Sequence, residues 1–138
     1  MRKVGLMVLV MALLLSMATG CQGYTQTGAK SSSQQDRNGG RIREQIKKAN
    51  GTGSQDIEVS GGGGLTLETD VTLTVETGSF TIELLGEDDE VTLVLQARDG
   101  ETVSGHGQMV VDTFGEAGYR VTAVEAGNVD YSMEYTFR

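Results

Sequence analysis

The residues equipped to do chemistry are few in this chain, apart from its carboxylates. There is a single cysteine, Cys21, and a single histidine, His106. Nucleophilic catalysis needs a nucleophile with a base in reach and a third group to orient that base. The arrangement available is Ser104, His106 and Asp112, and nothing in their spacing enforces a triad. His106 lies between Gly105 and Gly107, a setting that predicts a solvated, flexible turn. Carboxylates are plentiful, and a flanking pair of them could hydrolyse a glycosidic bond. Their abundance argues against the idea, because so many acids in a short chain form close pairs by number alone. The densest run, Glu87-Asp88-Asp89-Glu90, places hard oxygen ligands on a loop, and Asp99-Gly100-Glu101 follows. That chemistry suits Ca²⁺, so Glu87, Asp88, Asp89 and Glu90 are the candidate metal ligands and calcium the candidate cofactor. Their spacing matches no EF-hand, and an acidic hairpin that discourages edge-to-edge pairing explains the same residues without a metal. Gly61-Gly62-Gly63-Gly64 lacks the Lys-Ser/Thr that completes a phosphate loop, and predicts a hinge.

The setting of Cys21 is more telling. Arg2 and Lys3 open the chain with positive charge, Val4–Leu15 is apolar apart from Gly5, and the residues turn small towards Gly20. This is the three-part plan of a secretory signal peptide over residues 1–20. The apolar run of about 12–15 residues falls short of the ~20 that a bilayer-spanning helix needs. Ala18-Thr19-Gly20-Cys21 resembles the lipobox of bacterial lipoproteins, in which small residues precede an obligatory cysteine. The resemblance implies transfer of diacylglycerol to the Cys21 sulfur and cleavage after Gly20; Ala18 stands where Leu is commonest. The same residues also fit ordinary secretory cleavage, which would leave an exposed, oxidisable thiol. That liability favours lipidation, and two acyl chains with ~0.8 kcal/mol per buried methylene hold a protein stably on a membrane.

Charge divides the remainder. Residues 22–55 carry Lys30, Arg37, Arg41, Arg43, Lys47 and Lys48 against Asp36 and Glu44, six cations to two acids. Residues 56–138 carry Arg98, Arg120 and Arg138 against 17 acids, so this part stands at −14 within a chain at −8. Such a domain repels nucleic acid, which excludes that partner class. Residues 21–55 are rich in Gly, Ser, Gln, Thr and Asn and predict a lipidated N-terminus followed by a flexible basic linker of roughly 30–35 Å reach. Within it, Ile42 and Ile46 share a face of a possible short helix over residues 41–48, too short to hold unaided. A solvated linker is the stronger reading there than a basic patch lying on lipid.

From Ile57 the pattern takes a period of two. Leu65, Leu67, Val71, Leu73 and Val75 alternate with polar residues, and Phe80, Ile82 and Leu84 change phase after Thr77-Gly78. Val91, Leu93, Leu95 and Ala97, then Met109 and Val111, then Tyr119, Val121 and Ala123, continue the theme. The last run sets Val129, Tyr131, Met133, Tyr135 and Phe137 on one face. Half-buried strands at this spacing predict an all-β domain over residues 56–138, a small antiparallel β-sandwich of about 7–8 strands. The tyrosines sit at core positions, so few aromatics are left to stack on sugars. The expected function is that of an extracytoplasmic, lipid-anchored protein with a non-enzymatic binding or structural β-domain, its partner an envelope glycan or protein. The alternative is a lipid-anchored enzyme or accessory module acting on envelope glycans.

Overall fold

The computed structural model describes residues 23–59 and 63–138; the segment read as a signal peptide, Cys21 and the first half of the Gly61–Gly64 run read as a hinge lie outside the described residues. Seven strands form one antiparallel sheet: β1 (Thr25–Thr27), β2 (Lys30–Gln35), β3 (Gly39–Glu58), β4 (Thr66–Leu85), β5 (Val91–Arg98), β6 (Glu101–Val110) and β7 (Glu116–Phe137). The order runs β1-β3-β7-β4-β5, with β2 also on β3 and β6 also on β4.

Three of these strands, β3, β4 and β7, are about four times the usual length of 5–6 residues, and each bends at the same level. Register shifts fall between Thr77 and Ser79 of β4, opposite Gly127 and Val124 of β7, and between Ala49 and Gly51 of β3. The residues there take left-handed backbone: Gly51, Gly78, Glu125 and Asn128 all have positive φ. A bulge adds a residue to one strand, bends it and reverses which face its side chains occupy. Gly78 has no alternative, since a Cβ would sit 2.1 Å from the Glu125 carbonyl oxygen. The phase change after Thr77-Gly78 is therefore a fold in one strand and not a break between two.

The aligned bulges turn the sheet back on itself as a β-sandwich. One layer holds β2, the early part of β3, the late part of β7, the early part of β4 and β6. The other holds the late part of β3, the early part of β7, the late part of β4 and β5. Their inner faces meet where Phe80 stacks on Tyr131 with ring centroids 5.7 Å apart, and where Tyr119 meets Tyr131 edge-on. Leu67, Leu73, Ile82, Leu84, Met109 and Met133 are fully buried around them. Tyr119, Tyr131 and Tyr135 are core residues, as their strand positions predict.

The structure corrects the reading of residues 22–55 as a coil. Residues 25–27, 30–35 and 39–58 are strands, and β3 pairs with β7 along nearly its whole length, so a domain boundary at residue 56 falls inside β3. Ile42 and Ile46 lie in that strand and not on a helix. The segment has few apolar residues, but they reach the core: Ile46 and Ala49 are buried in it, and Tyr24 and Ile42 pack against it. Two of its cations meet acids of β7. Arg41 pairs with Glu134 at 3.0 Å and Arg43 with Asp130 at 2.7 Å. The charge asymmetry that suggested linker and domain belongs to neighbouring strands of one sheet, where opposite charges on paired strands contribute roughly 0.2–1 kcal/mol each.

Candidate functional site

A sandwich made by bending one sheet has two lateral seams where its layers meet. Along one of them β5 faces β6. Leu93 and Leu95 press on Gly105 and Gly107, where a Cβ on Gly107 would lie 2.6 Å from the Leu93 Cβ. The Thr92 hydroxyl accepts the Gln108 N–H at 3.1 Å and donates to the Gln108 carbonyl. This seam is shut.

The other seam lies between β2 and the late part of β3, and it is open. Among the described residues no strand pairs with the outer edge of β3 beyond Asn50. A cleft of about 520 Å³ runs here, its walls formed by Ser31–Gln35 and Gln55–Glu58 and its floor by Ile42, Glu44, Tyr119 and Tyr135. Gln35 clips one end, its Nε2 donating to the Glu58 carbonyl at 3.1 Å and to the Tyr135 hydroxyl at 3.0 Å. Tyr24 stands at the other, packed so closely on Gly53 that a Cβ there would be 2.7 Å from its own. Between them Ser31 donates to the carboxylate of Glu44. Glu44 is half-buried at an inward-facing position of β3, between Ile42 and Ile46.

Strand alternation places Glu44 there: outward Arg41, Arg43 and Gln45 interleave with inward Ile42, Glu44 and Ile46. Inward polar groups are the informative kind, because a sandwich interior is otherwise apolar. Burial pushes the hydroxyls of Tyr24, Tyr119 and Tyr131 well above the ordinary phenol range, and nearby Glu44 adds to the effect on each. The Tyr119 and Tyr131 hydroxyls share a hydrogen bond of 2.9 Å. The phenols are therefore neutral donors and acceptors at physiological pH. Such a lining can hydrogen-bond a polar ligand. Gln35, Ser31, Glu44 and Tyr24 all lie in the segment read from sequence as linker. The signal that could have found them was the period-two spacing of Ile42, Glu44 and Ile46, which was open to a helical reading because Ile42 and Ile46 are also four apart.

The residues singled out for catalysis are not brought together. His106 is in the middle of β6 and not on a turn; Gly105 and Gly107 flank it because their inward positions are filled by Leu93 and Leu95. Its Nδ1 lies 2.8 Å from Asp70 and its Nε2 2.9 Å from Glu68. These hydrogen bonds, Asp70's foremost, raise its pKa above the ordinary histidine value. The same contact holds the Glu68 carboxyl below its usual range, with Arg138 and Gln108 assisting against desolvation. Both ring nitrogens are engaged, so this imidazole acts as a strut on the outer face. Ser104 instead meets Thr72 across the strand pair. Asp112 accepts the N–H groups of Phe114 and Glu116 and shapes the turn between β6 and β7.

Glu87, Asp88 and Asp89 form a single 3₁₀ turn, with Glu90 after it, joining β4 to β5. All four are exposed. Among the described residues no three His, Cys, Asp or Glu side chains converge as metal ligands would. Across the same end of the molecule the Glu116 carboxyl is pushed up, first by Asp56 and then by burial, Asp112 and Glu58. Cys21, the lipidation candidate, lies outside the described residues.

No family model matches the chain, and no curated protein matches it. Among solved structures it is similar to a carbohydrate-binding module of Cellvibrio mixtus lichenase 5A in complex with cellotriose, at 13% identity over 81% of this chain and 88% of that one, with a TM-score of 0.36. It is similar also to a xylan-binding domain from Paenibacillus barcinonensis, at 14% identity over 84% and 85%, with a TM-score of 0.37. A subunit of Bacillus endospore appendages, described as disulfide-linked pili, is 13% identical over 86% and 98%, with a TM-score of 0.42. Likenesses this distant bear on neither ligand nor partner.

Proposed function

We propose that this chain is an exported, lipid-anchored binding protein without catalytic activity, which takes its ligand into the open seam between β2 and β3. The observation that carries the reading is the contrast of the two seams. One is shut by leucines against glycines, while the other holds a half-buried carboxylate, amides and hydroxyls at inward positions with space between them. Concave sites with a few convergent polar groups are where small ligands and chain segments bind. The Gln55 amide and the Tyr135 hydroxyl can donate to a hydroxyl-rich ligand such as an envelope glycan, and the Ser31 hydroxyl oxygen and Glu44 can accept from it. The anchor is supported by the signal segment and by Cys21.

Titration of residues 22–138 with a panel of envelope glycans, followed by calorimetry and by amide shifts, tests the site. The expected outcome is a ligand whose shifts cluster at Ser31, Glu44 and Gln55 and whose affinity falls at least tenfold in Glu44→Ala. Binding untouched by Glu44→Ala would remove the seam from consideration. The anchor is tested separately, by labelled palmitate: Cys21→Ser should abolish its incorporation.

A further inference from the structure

We propose that the bend of the sandwich, with Lys30, Lys47 and Lys48 at its corner, seats on an anionic lipid surface and holds the acidic opposite end away from it. The inference rests on the reading of Cys21 as the anchor, and adds an orientation to it.

Two observations carry it. The first is where the packed chain begins. Tyr24 is packed on Gly53, and Thr25–Thr27 pair with Lys48–Asn50, at the level where the long strands fold over. Only Gln22 and Gly23 separate Tyr24 from Cys21. That short connection spans roughly 10–11 Å even when fully extended. Each layer runs about 34 Å from bend to tip, taking the ten residues Thr66–Val75 at ~3.4 Å each. An anchor at Cys21 thus holds the bend close to the lipid surface.

The second observation is charge. Lys30, Lys47 and Lys48 are exposed, and among the described residues none of them, nor Arg37 or Arg98, has a carboxylate within ion-pair distance, whereas Arg41, Arg43, Arg120 and Arg138 each have one. The turn between β1 and β2 gathers them. Lys48 is paired opposite Thr27, and the stem of Lys47 lies over Gly28, where a Cβ would be 2.7 Å from its Cγ. Glu76 and Glu125 share this end, and Asp99, Glu101 and Arg98 lie across it at the turn between β5 and β6, so the bend as a whole is balanced and the lysines form its one basic corner. The tip is strongly acidic: Asp36, Asp56, Glu58, the Glu87–Glu90 turn, Asp112 and Glu116 outnumber Arg37 and Arg138 there, and they crowd closely enough to raise the Glu116 pKa. At physiological ionic strength charge is felt over about 8 Å. With the bend down, the lysines lie inside that distance of an anionic surface and the tip several such lengths outside. Turning the domain over would reverse both terms. Free lysines and a repelled tip act in the same direction.

The test uses the mature acylated protein in vesicles of phosphatidylcholine, with or without phosphatidylglycerol, and a headgroup-attached quencher. A fluorophore is clicked onto an azido residue placed at Thr27 or at Phe114. Expected is strong quenching at Thr27 and little at Phe114 in anionic vesicles. The contrast should fall at least twofold in Lys30→Glu/Lys47→Glu/Lys48→Glu or at high salt, and respond to neither in neutral vesicles. Equal quenching at the two positions, or a contrast indifferent to the lysines, overturns the orientation. Intact mass and flotation report the anchor independently. Should Cys21 prove unacylated, coupling its thiol to a maleimide lipid restores the geometry, and the same quenching contrast still decides the docking.

Discussion

Along the seam between β5 and β6 the layers meet through Leu93, Leu95 and two glycines; along the seam between β2 and β3 they meet through Tyr24 and Gln35, with Glu44 and Gln55 between. The closing strands of the first are joined directly by the turn Asp99-Gly100, whose Gly100 N–H also binds the carbonyls of Val75 and Glu76 at the bend. The second brings together β2 and the far half of β3, which are linked only through the length of β3 itself. Where inward positions are apolar the layers close until backbone sets the limit. Where they are polar, each group needs a hydrogen-bond partner, and a cleft remains around the partners it finds. One fold thus supplies both a stabilising seam and a receptive one.

The largest expected effect tests the closed seam. Gly107→Val should cost about 1–3 kcal/mol in urea unfolding, because the new side chain meets Leu93 with no room to yield. Gly53→Ala, equally tight on distance, should cost under about 1 kcal/mol, since the atom it meets is the Cβ of Tyr24, which lies ahead of the short edge strand β1 where the backbone can shift to make room. Equal costs would erase the distinction between the seams. Next is Tyr131→Phe, which strands the Tyr119 hydroxyl and should cost about 1–2 kcal/mol; converting both tyrosines to Phe should recover most of it. A smaller loss, about 1 kcal/mol, is expected for Thr92→Val, which removes the clasp between β5 and β6. Glu44→Ala should change stability by only about 0.5 kcal/mol while removing ligand affinity, the signature of a residue kept for binding.

Two pH effects sharpen the comparison at outer positions. The raised pKa of His106 means that the folded state binds its proton more tightly than the unfolded chain does. Its contribution is fully present below about 6.5 and lost as pH rises through the folded pKa, so His106→Gln should flatten the melting temperature across that window. Glu116 is also raised, but as an acid it is destabilised by ionising beside Asp56. Glu116→Gln should therefore raise the melting temperature at neutral pH, with the gain vanishing below about 4.5.

Part of this protein was readable from the order of its residues. The alternation of Leu65–Val75, of Phe80–Leu84 and of Val129–Phe137 established half-buried strands, because the two faces of a strand are a local property with a fixed period. The proposal of an export signal ending at Cys21 likewise rests on local composition alone. Tertiary structure decided the rest. Thr77-Gly78 reads equally as a turn or as a bulge, and only the aligned irregularities of β3 and β7 make it a fold in a continuous strand. Residues 25–55 read as linker because they bury few side chains, yet β3 gains its place through backbone pairing with β7 and through Arg41 and Arg43 meeting its acids. The site followed the same rule. Glu44, Gln35 and Tyr24 became a cleft only when β2 was laid across from the far half of β3, since hydrogen bonding between distant strands leaves no periodic mark on either one.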